Sequence, residues 1–218
     1  MDKKDFLDEK IIEMMNEVEQ PPMPVVEEAG VSEEIKPEER TIYTGIKIKG
    51  RWVYFEERLL VEDKIMMMVP EEFTEMSEEQ AKIKYPSEQR PETILTDDTT
   101  AINLMFTYMD EKMDNVEAEQ VRDETIGMMC RLNPGIKKQE SGVEIVSEKN
   151  VAYVEFTNPV MDGKLFNILS FMELDGRTLM ISWNCLTKEI KYWKKAVYEM
   201  IRSIQILDQI NKEGTADE

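Results

Sequence analysis

The chain has 218 residues, with 46 acidic against 27 basic side chains and a formal net charge of −19. It contains no histidine and two cysteines, which excludes histidine-based triads, histidine metal ligands and a zinc site made of four thiolates. The negative charge argues against a nucleic-acid partner, because phosphates require a basic surface.

The cellular setting is also predicted from composition. The apolar share of 41% is large enough for a folded core, yet no segment approaches the ~20 apolar residues that span a bilayer. The chain opens with charged residues, Met1 to Asp5, so we expect no secretory signal. We therefore expect a cytoplasmic protein without a membrane span, in which Cys130 and Cys185 are reduced thiols.

Residues 1–40 differ in composition from the rest of the chain. They carry 13 acidic and 5 basic residues and four of the nine prolines. Near the start, apolar residues recur at helical spacing (Leu7, Ile11, Met14 and Val18). We predict an acidic N-terminal helix followed by a Pro/Glu-rich linker, which either docks on a protein surface or is a frayed tail.

The next segment alternates with a period of two. Ile42, Thr44, Ile46 and Ile48 share one face of a predicted strand, and residues 52–61 and 65–69 form two further strands. Pro70 ends the pairing because it lacks an N–H. This pattern predicts an antiparallel meander.

Two helices and two strands follow. Ser77 and Gln80 fit a capping box for a helix that ends before Pro86. Strands are predicted near 93–95 and 102–108. A second helix is predicted from Asp114 and Glu117 to Leu132, where Asn133-Pro134-Gly135 ends it.

Four strands and a helix complete the predicted order. The strands cover about 136–148, 151–158, 164–174 and 177–186, and Asp175-Gly176 is a strong hairpin signal. Thr187 is expected to cap a last helix that reaches Leu207. We predict one α+β domain at 41–207, a mostly antiparallel sheet packed by two or three helices, and a polar tail at 208–218. The helices at 117–132 and 187–207 are expected to cover one face of that sheet.

This order of elements resembles a known architecture. The strand that ends in Val69-Pro70-Glu71-Glu72-Phe73 and the helix entered from Asn184-Cys185-Leu186-Thr187 are similar to the PsbP/Mog-type fold. PsbP extrinsic photosystem proteins, Ran-binding Mog proteins and bacterial DcrB-like proteins share that fold. The resemblance covers about residues 50–207. It implies a non-catalytic binding or adaptor module, and no functional residue of the family maps onto this chain.

The loop from Lys82 to Pro91 is one candidate contact site. It places Lys82, Lys84 and Arg90 next to Tyr85 in an otherwise acidic chain, and two prolines stiffen it. Stiff loops with locally inverted charge suit partner binding. The alternative is an ordinary crossover in which Arg90 pairs with a neighbouring carboxylate.

The seventeen methionines suggest a second candidate surface. Met66, Met68, Met105 and Met180 are expected to line an adaptable apolar face of the sheet, since thioethers accept varied apolar partners. The alternative is that the helices cover both faces of the sheet, so that methionine fills the core.

The remaining motifs are an acidic turn, the two cysteines and the lysines of the last helix. Asp97-Asp98 is interpreted as a solvated turn, and no cofactor or metal motif is present in the sequence. Both cysteines are interpreted as structural thiols. The lysines of the last helix (Lys188, Lys191, Lys194 and Lys195) form either a solvated face or a basic patch for an acidic partner, such as the chain's own N-terminal segment.

Together these features predict a non-catalytic cytoplasmic module, a monomer or homodimer, that binds another protein or a peptide. The alternative hypothesis is an enzyme or ligand-binding protein for a small molecule, with a pocket built from Tyr85, Arg90 and Asp97.

Overall fold

Twelve β-strands and three α-helices make up the part of the chain that the computed structural model describes, residues 40–86, 90–160 and 163–207. The predicted N-terminal helix and linker before residue 40, and the predicted tail at 208–218, lie outside the described residues. The strands are β1 Ile46–Ile48, β2 Arg51–Val53, β3 Phe55–Leu60, β4 Ile65–Pro70, β5 Thr74–Glu75, β6 Thr93–Thr96, β7 Asn103–Lys112, β8 Lys137–Val146, β9 Lys149–Val160, β10 Gly163–Leu174, β11 Arg177–Leu186 and β12 Gln205–Ile206. The helices are α1 Glu78–Lys84, α2 Ala118–Leu132 and α3 Ile190–Arg202.

A seven-stranded antiparallel sheet in the order β5-β6-β7-β11-β10-β9-β8 forms the centre of the fold. Its four long C-terminal strands confirm the predicted series of hairpins. Asp175 and Gly176 both have positive φ, at 51° and 74°, as the tight turn of an Asp-Gly hairpin requires. The mostly antiparallel α+β prediction is therefore confirmed.

The alternation of β11 separates the two faces of this sheet. Leu179, Ile181 and Trp183 pack in the main core with α3, whereas Met180 packs in a second apolar cluster with α2. The expectation that both long helices cover the same face is therefore wrong. A stripe of apolar residues shows that a helix needs a sheet to pack on, but it does not specify which face of that sheet.

Aromatic rings fill the centre of the main core. The rings of Phe73 and Trp183 stack with centroids 5.9 Å apart, and the Trp193 ring of α3 lies 5.4 Å from that of Trp183. All three side chains are buried. Through these contacts, α3 and the segment after β4 pack against the middle of the sheet.

The predicted meander at 41–69 is divided into two smaller units. Residues 42–44 form a turn, β1 and β2 make a separate hairpin, and β3 pairs with β4. The ring of Tyr54 lies so close to Gly45 that a Cβ there would meet it at 2.9 Å, and Gly45 itself has a φ of +80°. This left-handed residue interrupts the expected strand just before β1.

The last helix ends earlier than predicted. It stops at Arg202, and Gln205–Ile206 then pairs with Ile65 and Met66 as a third strand beside β4. The Ser203 hydroxyl accepts a hydrogen bond from the Met68 N–H at 3.0 Å. Residues 205–206 thus pair with β4 where the sequence predicts the final turns of the helix. Thr187 does not cap the helix, since its hydroxyl donates to the Lys164 carbonyl at 3.2 Å.

None of the described helices combines the length and the apolar character needed to cross a membrane.

Candidate functional site

A groove of about 590 Å³ lies between the β1–β2 hairpin and helix α3. Five of its lining residues are cationic, and among the described residues none that line it is acidic. The cations are Arg40, Lys47, Lys49, Lys191 and Lys195. A concentration of positive charge is unexpected in a chain of net charge −19. We call this site the basic groove.

The β1–β2 hairpin supplies one wall of the basic groove. Ile48 and Val53 are buried in the main core and anchor the hairpin, whereas Lys47 and Lys49 stay exposed. The Lys49 ammonium forms an ion pair at 2.6 Å with Glu189, which immediately precedes α3. The hairpin is therefore fixed to the helix at both its apolar base and its turn.

Helix α3 supplies the opposite wall. Trp193 and Ala196 face the core, so Lys191 and Lys195, which are four residues apart, share a stripe beside the hairpin. The ring of Tyr192 lies 4.7 Å from the Lys191 ammonium and 5.9 Å from that of Lys49. Cations over this ring are held by its negative face.

The chain enters the described structure along this groove. Lys195 donates a hydrogen bond to the Arg40 carbonyl at 2.8 Å, and the Glu199 carboxylate accepts one from the Ile42 N–H at 2.8 Å. Ile42 is buried. Residues 40–42 are thus held on α3, and Arg40 is part of the groove lining.

Two of the lysines in the groove have no ion-pair partner among the described residues. Lys49 pairs with Glu189, and Lys195 lies 3.7 Å from Glu199. Lys47 and Lys191, in contrast, form no ion pair with any residue in the described ranges. Two exposed ammonium groups therefore remain available to carboxylates from outside the folded domain. Such a local field also attracts an anionic partner before contact.

An exposed aromatic pair adjoins the groove. The rings of Trp52 and Tyr54 stack with centroids 6.1 Å apart, although their residues are 44% and 53% exposed. The Arg40 guanidinium lies 4.4 Å above the Trp52 ring. Large aromatic residues that remain exposed next to cations are typical anchors of protein interfaces.

On the other side of the hairpin lies a smaller pocket of about 120 Å³, whose accessible surface is mostly apolar although its lining also includes four carboxylates, those of Glu72, Asp97, Asp98 and Glu189. Its walls include Val53, Ile102 and Trp193, and Lys49 lines both this pocket and the basic groove. A cavity of ~150 Å³ accepts a benzene molecule, so this pocket suits one aliphatic side chain. We call it the apolar pocket.

The predicted Asp97-Asp98 turn lies at the apolar pocket. The Asp97 carboxylate accepts hydrogen bonds from the Thr99 hydroxyl at 2.5 Å and from the Ile102 N–H at 2.9 Å. These bonds close the turn between β6 and β7. Asp97 therefore has a local structural role.

The Lys82–Pro91 loop begins with the end of the predicted helix, and two of its described side chains, those of Lys84 and Tyr85, are buried. The capping box of Ser77 and Gln80 is present, and Lys82 is exposed and pairs with Glu78 at 2.9 Å. Arg90 donates to the Tyr85 carbonyl at 3.2 Å. Residues 87–89 lie outside the described residues.

Lys84 and Tyr85 are buried. The Lys84 ammonium, on a residue that is 5% exposed, donates to the Thr100 carbonyl and to Asn103 Oδ1. Burial lowers the pKa of Lys84 to about 8, partly opposed by the Asp97 charge. Burial also raises the pKa of Tyr85 to about 12. The roles of Lys84 and Tyr85 as partner contacts, or as parts of an enzyme pocket, remain predictions. Both side chains face the core instead of the solvent.

The methionines follow the alternative in which they fill the core. Met105 packs with Ala81 of α1 and Met180 with residues of α2, on the same face of the sheet. Met68 is buried in the main core, and Met66 is half-buried. The expectation of an exposed methionine face does not match this burial, because helices cover both faces of the sheet.

Lys194 and the two cysteines lie outside the basic groove. Lys194 donates to Glu155 and Glu140 at 2.9 and 3.2 Å and so does not contribute to the groove. Cys130 and Cys185 are free thiols. Burial raises the pKa of the Cys185 thiol to about 12, which disfavours the reactive thiolate at neutral pH.

The basic groove was not predicted as a unit. Its lysines come from residues 47–49 and 191–195, and more than 140 residues separate the two groups. The lysines of the last helix were the only sequence signal that pointed to it. The contribution of the hairpin depends on the packing of Ile48 and Val53, which the sequence pattern does not show.

Comparisons with known proteins bear on the fold only. No protein-family model matches the chain, and no curated protein matches it in sequence. The solution structure of the cyanobacterial PsbP protein CyanoP from Synechocystis sp. PCC 6803 is similar, with a TM-score of 0.52 and 10% identity over 70% of this chain and 92% of that one. LpqN of Mycobacterium tuberculosis, involved in cell envelope biogenesis, matches with a TM-score of 0.48 and 11% identity over 78% and 98% of the two chains. The likeness to CyanoP shows that the chain has a PsbP-like fold, as the resemblance in its sequence implies.

Proposed function

We propose that the chain is a non-catalytic, cytoplasmic binding module whose basic groove receives an acidic segment of another protein. The observation that carries this proposal is the set of five cations around one groove in a chain with 46 acidic residues. Carboxylates of the partner pair with Lys47 and Lys191, which lack ion pairs to described residues. The module acts as a monomer or a homodimer.

The basic groove contributes charge to partner recognition, and the surfaces beside it contribute apolar contacts. Each exposed ion pair contributes about 0–1 kcal/mol, so charge alone supports only a weak complex and mainly speeds association. The Trp52–Tyr54 pair and the apolar pocket offer contact area for apolar side chains of the same partner. An acidic segment with an interspersed aliphatic residue therefore fits better than a uniform polyanion.

Reversal of two lysine charges tests this function. The double variant Lys47→Glu/Lys191→Glu should bind a fluorescein-labelled decapeptide, with six glutamates around a central leucine, at least tenfold more weakly, a change of about 1.4 kcal/mol. Fluorescence anisotropy at low salt measures the dissociation constant. Salt should weaken the wild-type complex between about 50 and 300 mM, because it screens exposed charges.

A matched double variant controls for net charge. Lys112 and Lys137 are exposed and lie outside the groove, and Lys112→Glu/Lys137→Glu changes the net charge by the same amount. It should keep the wild-type affinity. Equal losses in both variants would contradict the groove as the binding site. Tighter binding of a single-stranded oligonucleotide than of the peptide would contradict the proposed class of partner.

A further inference from the structure

The basic groove has a candidate occupant within the chain. Residues 1–39 contain 13 acidic and 4 basic residues, a net charge of −9, against the five cations of the groove. We infer that this acidic N-terminal segment docks in the basic groove and competes there with an outside partner. The inference rests on the proposed function and adds its regulation.

The attachment point places the segment at the groove. Arg40 lines the groove, and hydrogen bonds from Lys195 and to Glu199 hold residues 40–42 on α3. Glu38 and Glu39 directly precede Arg40. Since a residue advances the chain by at most ~3.6 Å, the Cα atoms of these two residues stay within about 7 Å of the Cα atom of Arg40.

The composition of the segment matches both parts of the site. Pairs of glutamates (Glu27-Glu28, Glu33-Glu34 and Glu38-Glu39) alternate with the aliphatic residues Val31 and Ile35. Glutamates can pair with Lys47 and Lys191, and an aliphatic side chain suits the apolar pocket next to Lys49. The same chemistry that recognises an outside acidic segment therefore recognises this one.

Covalent attachment makes even a weak contact effective. A linked segment acts at an effective concentration on the order of millimolar when it can reach its site. An outside partner binds only when the segment is out of the groove. Its apparent affinity is therefore reduced in proportion to the fraction of molecules in which the segment is docked. The N-terminal segment thereby sets a threshold below which acidic sequences are not bound.

Zero-length cross-linking of the full chain tests the docking. An equal mixture of unlabelled and ¹⁵N-labelled protein is treated with a carbodiimide, which joins only carboxylates and amines in contact, and the cross-linked peptides are identified by mass spectrometry. We expect links between residues 1–39 and Lys47, Lys191 or Lys195, with both ends carrying the same isotope. Mixed-isotope links would show a second copy's segment in the groove, and links equally frequent at Lys112 and Lys137 would show no preference; either result would overturn the inference.

A binding measurement separates this inference from the proposed function. Replacing six glutamates of the segment by glutamine (Glu27, Glu28, Glu33, Glu34, Glu38 and Glu39) should tighten binding of the acidic decapeptide at least tenfold. The control replaces six exposed glutamates of the folded part (Glu57, Glu62, Glu71, Glu75, Glu79 and Glu148) and should change it little. Equal affinities in the two variants overturn the docking alone. Absence of binding to every variant overturns the proposed function, and the cross-links still report on the segment.

Discussion

Replacing Trp183 with alanine is expected to lower the free energy of unfolding by about 3–5 kcal/mol. The side chain is 2% exposed and packs between Phe73 and Trp193, so its removal leaves a cavity at the junction of the sheet, α3 and the segment after β4. A loss of this size is a large fraction of the ~5–15 kcal/mol that stabilises an ordinary domain. Urea denaturation followed by far-UV circular dichroism measures the change.

Trp52 provides the matched control for this variant. Its side chain is 44% exposed and contacts the exposed Tyr54 ring and the Arg40 guanidinium. Trp52→Ala should therefore cost less than about 1 kcal/mol. Similar denaturation midpoints for the two alanine variants would show that the stack around Trp183 is not the centre of the core.

The second large effect concerns the pH dependence of stability. The free energy of unfolding of the wild type, minus that of Lys84→Met, should rise by about 3 kcal/mol between pH 8 and pH 10.5. Burial lowers the pKa of Lys84 to about 8 from its ordinary 10.5. Within this range the unfolded state holds the proton that the folded state has lost, so stability increases with pH. Below about pH 7 both states are protonated and the difference is constant.

Urea denaturation at intervals from pH 7 to pH 10.5 measures this rise. Subtracting the stability curve of the variant from that of the wild type removes the contribution of the other titratable groups. A loss of packing in the variant shifts this difference by the same amount at every pH, so it does not change the slope. Lys82→Met is the control, because it changes a lysine of the same helix and keeps the buried Lys84. Parallel curves for wild type and Lys84→Met would contradict the burial of this ammonium group.

Local signals predicted the elements of this fold well. The capping box of Ser77 predicted α1, and Asp175-Gly176 predicted the hairpin between β10 and β11, because each signal depends on hydrogen bonds or dihedral angles within a few residues. The end of α3 was missed for the opposite reason. Residues 205–206 leave the helix to pair with β4, which lies some 140 residues earlier.

The site was harder to predict than the fold. A buried lysine and an exposed lysine look alike in a sequence, and Lys82 and Lys84 differ only in the helix face that packs on the sheet. Alternation predicts an open face for Met105 and Met180, because it cannot show that α1 and α2 cover that face. The basic groove depends on two distant segments that meet only through their apolar neighbours.

The position of β12 beside β4 has a consequence for how the protein is made. The small sheet has the order β12-β4-β3, so one of its edges is supplied by residues that the ribosome adds about 140 positions after β4. Until then the backbone of Ile65 and Met66 lacks a partner on that side. Pairing over such a separation is slow, and this edge stays open to wrong pairing during synthesis.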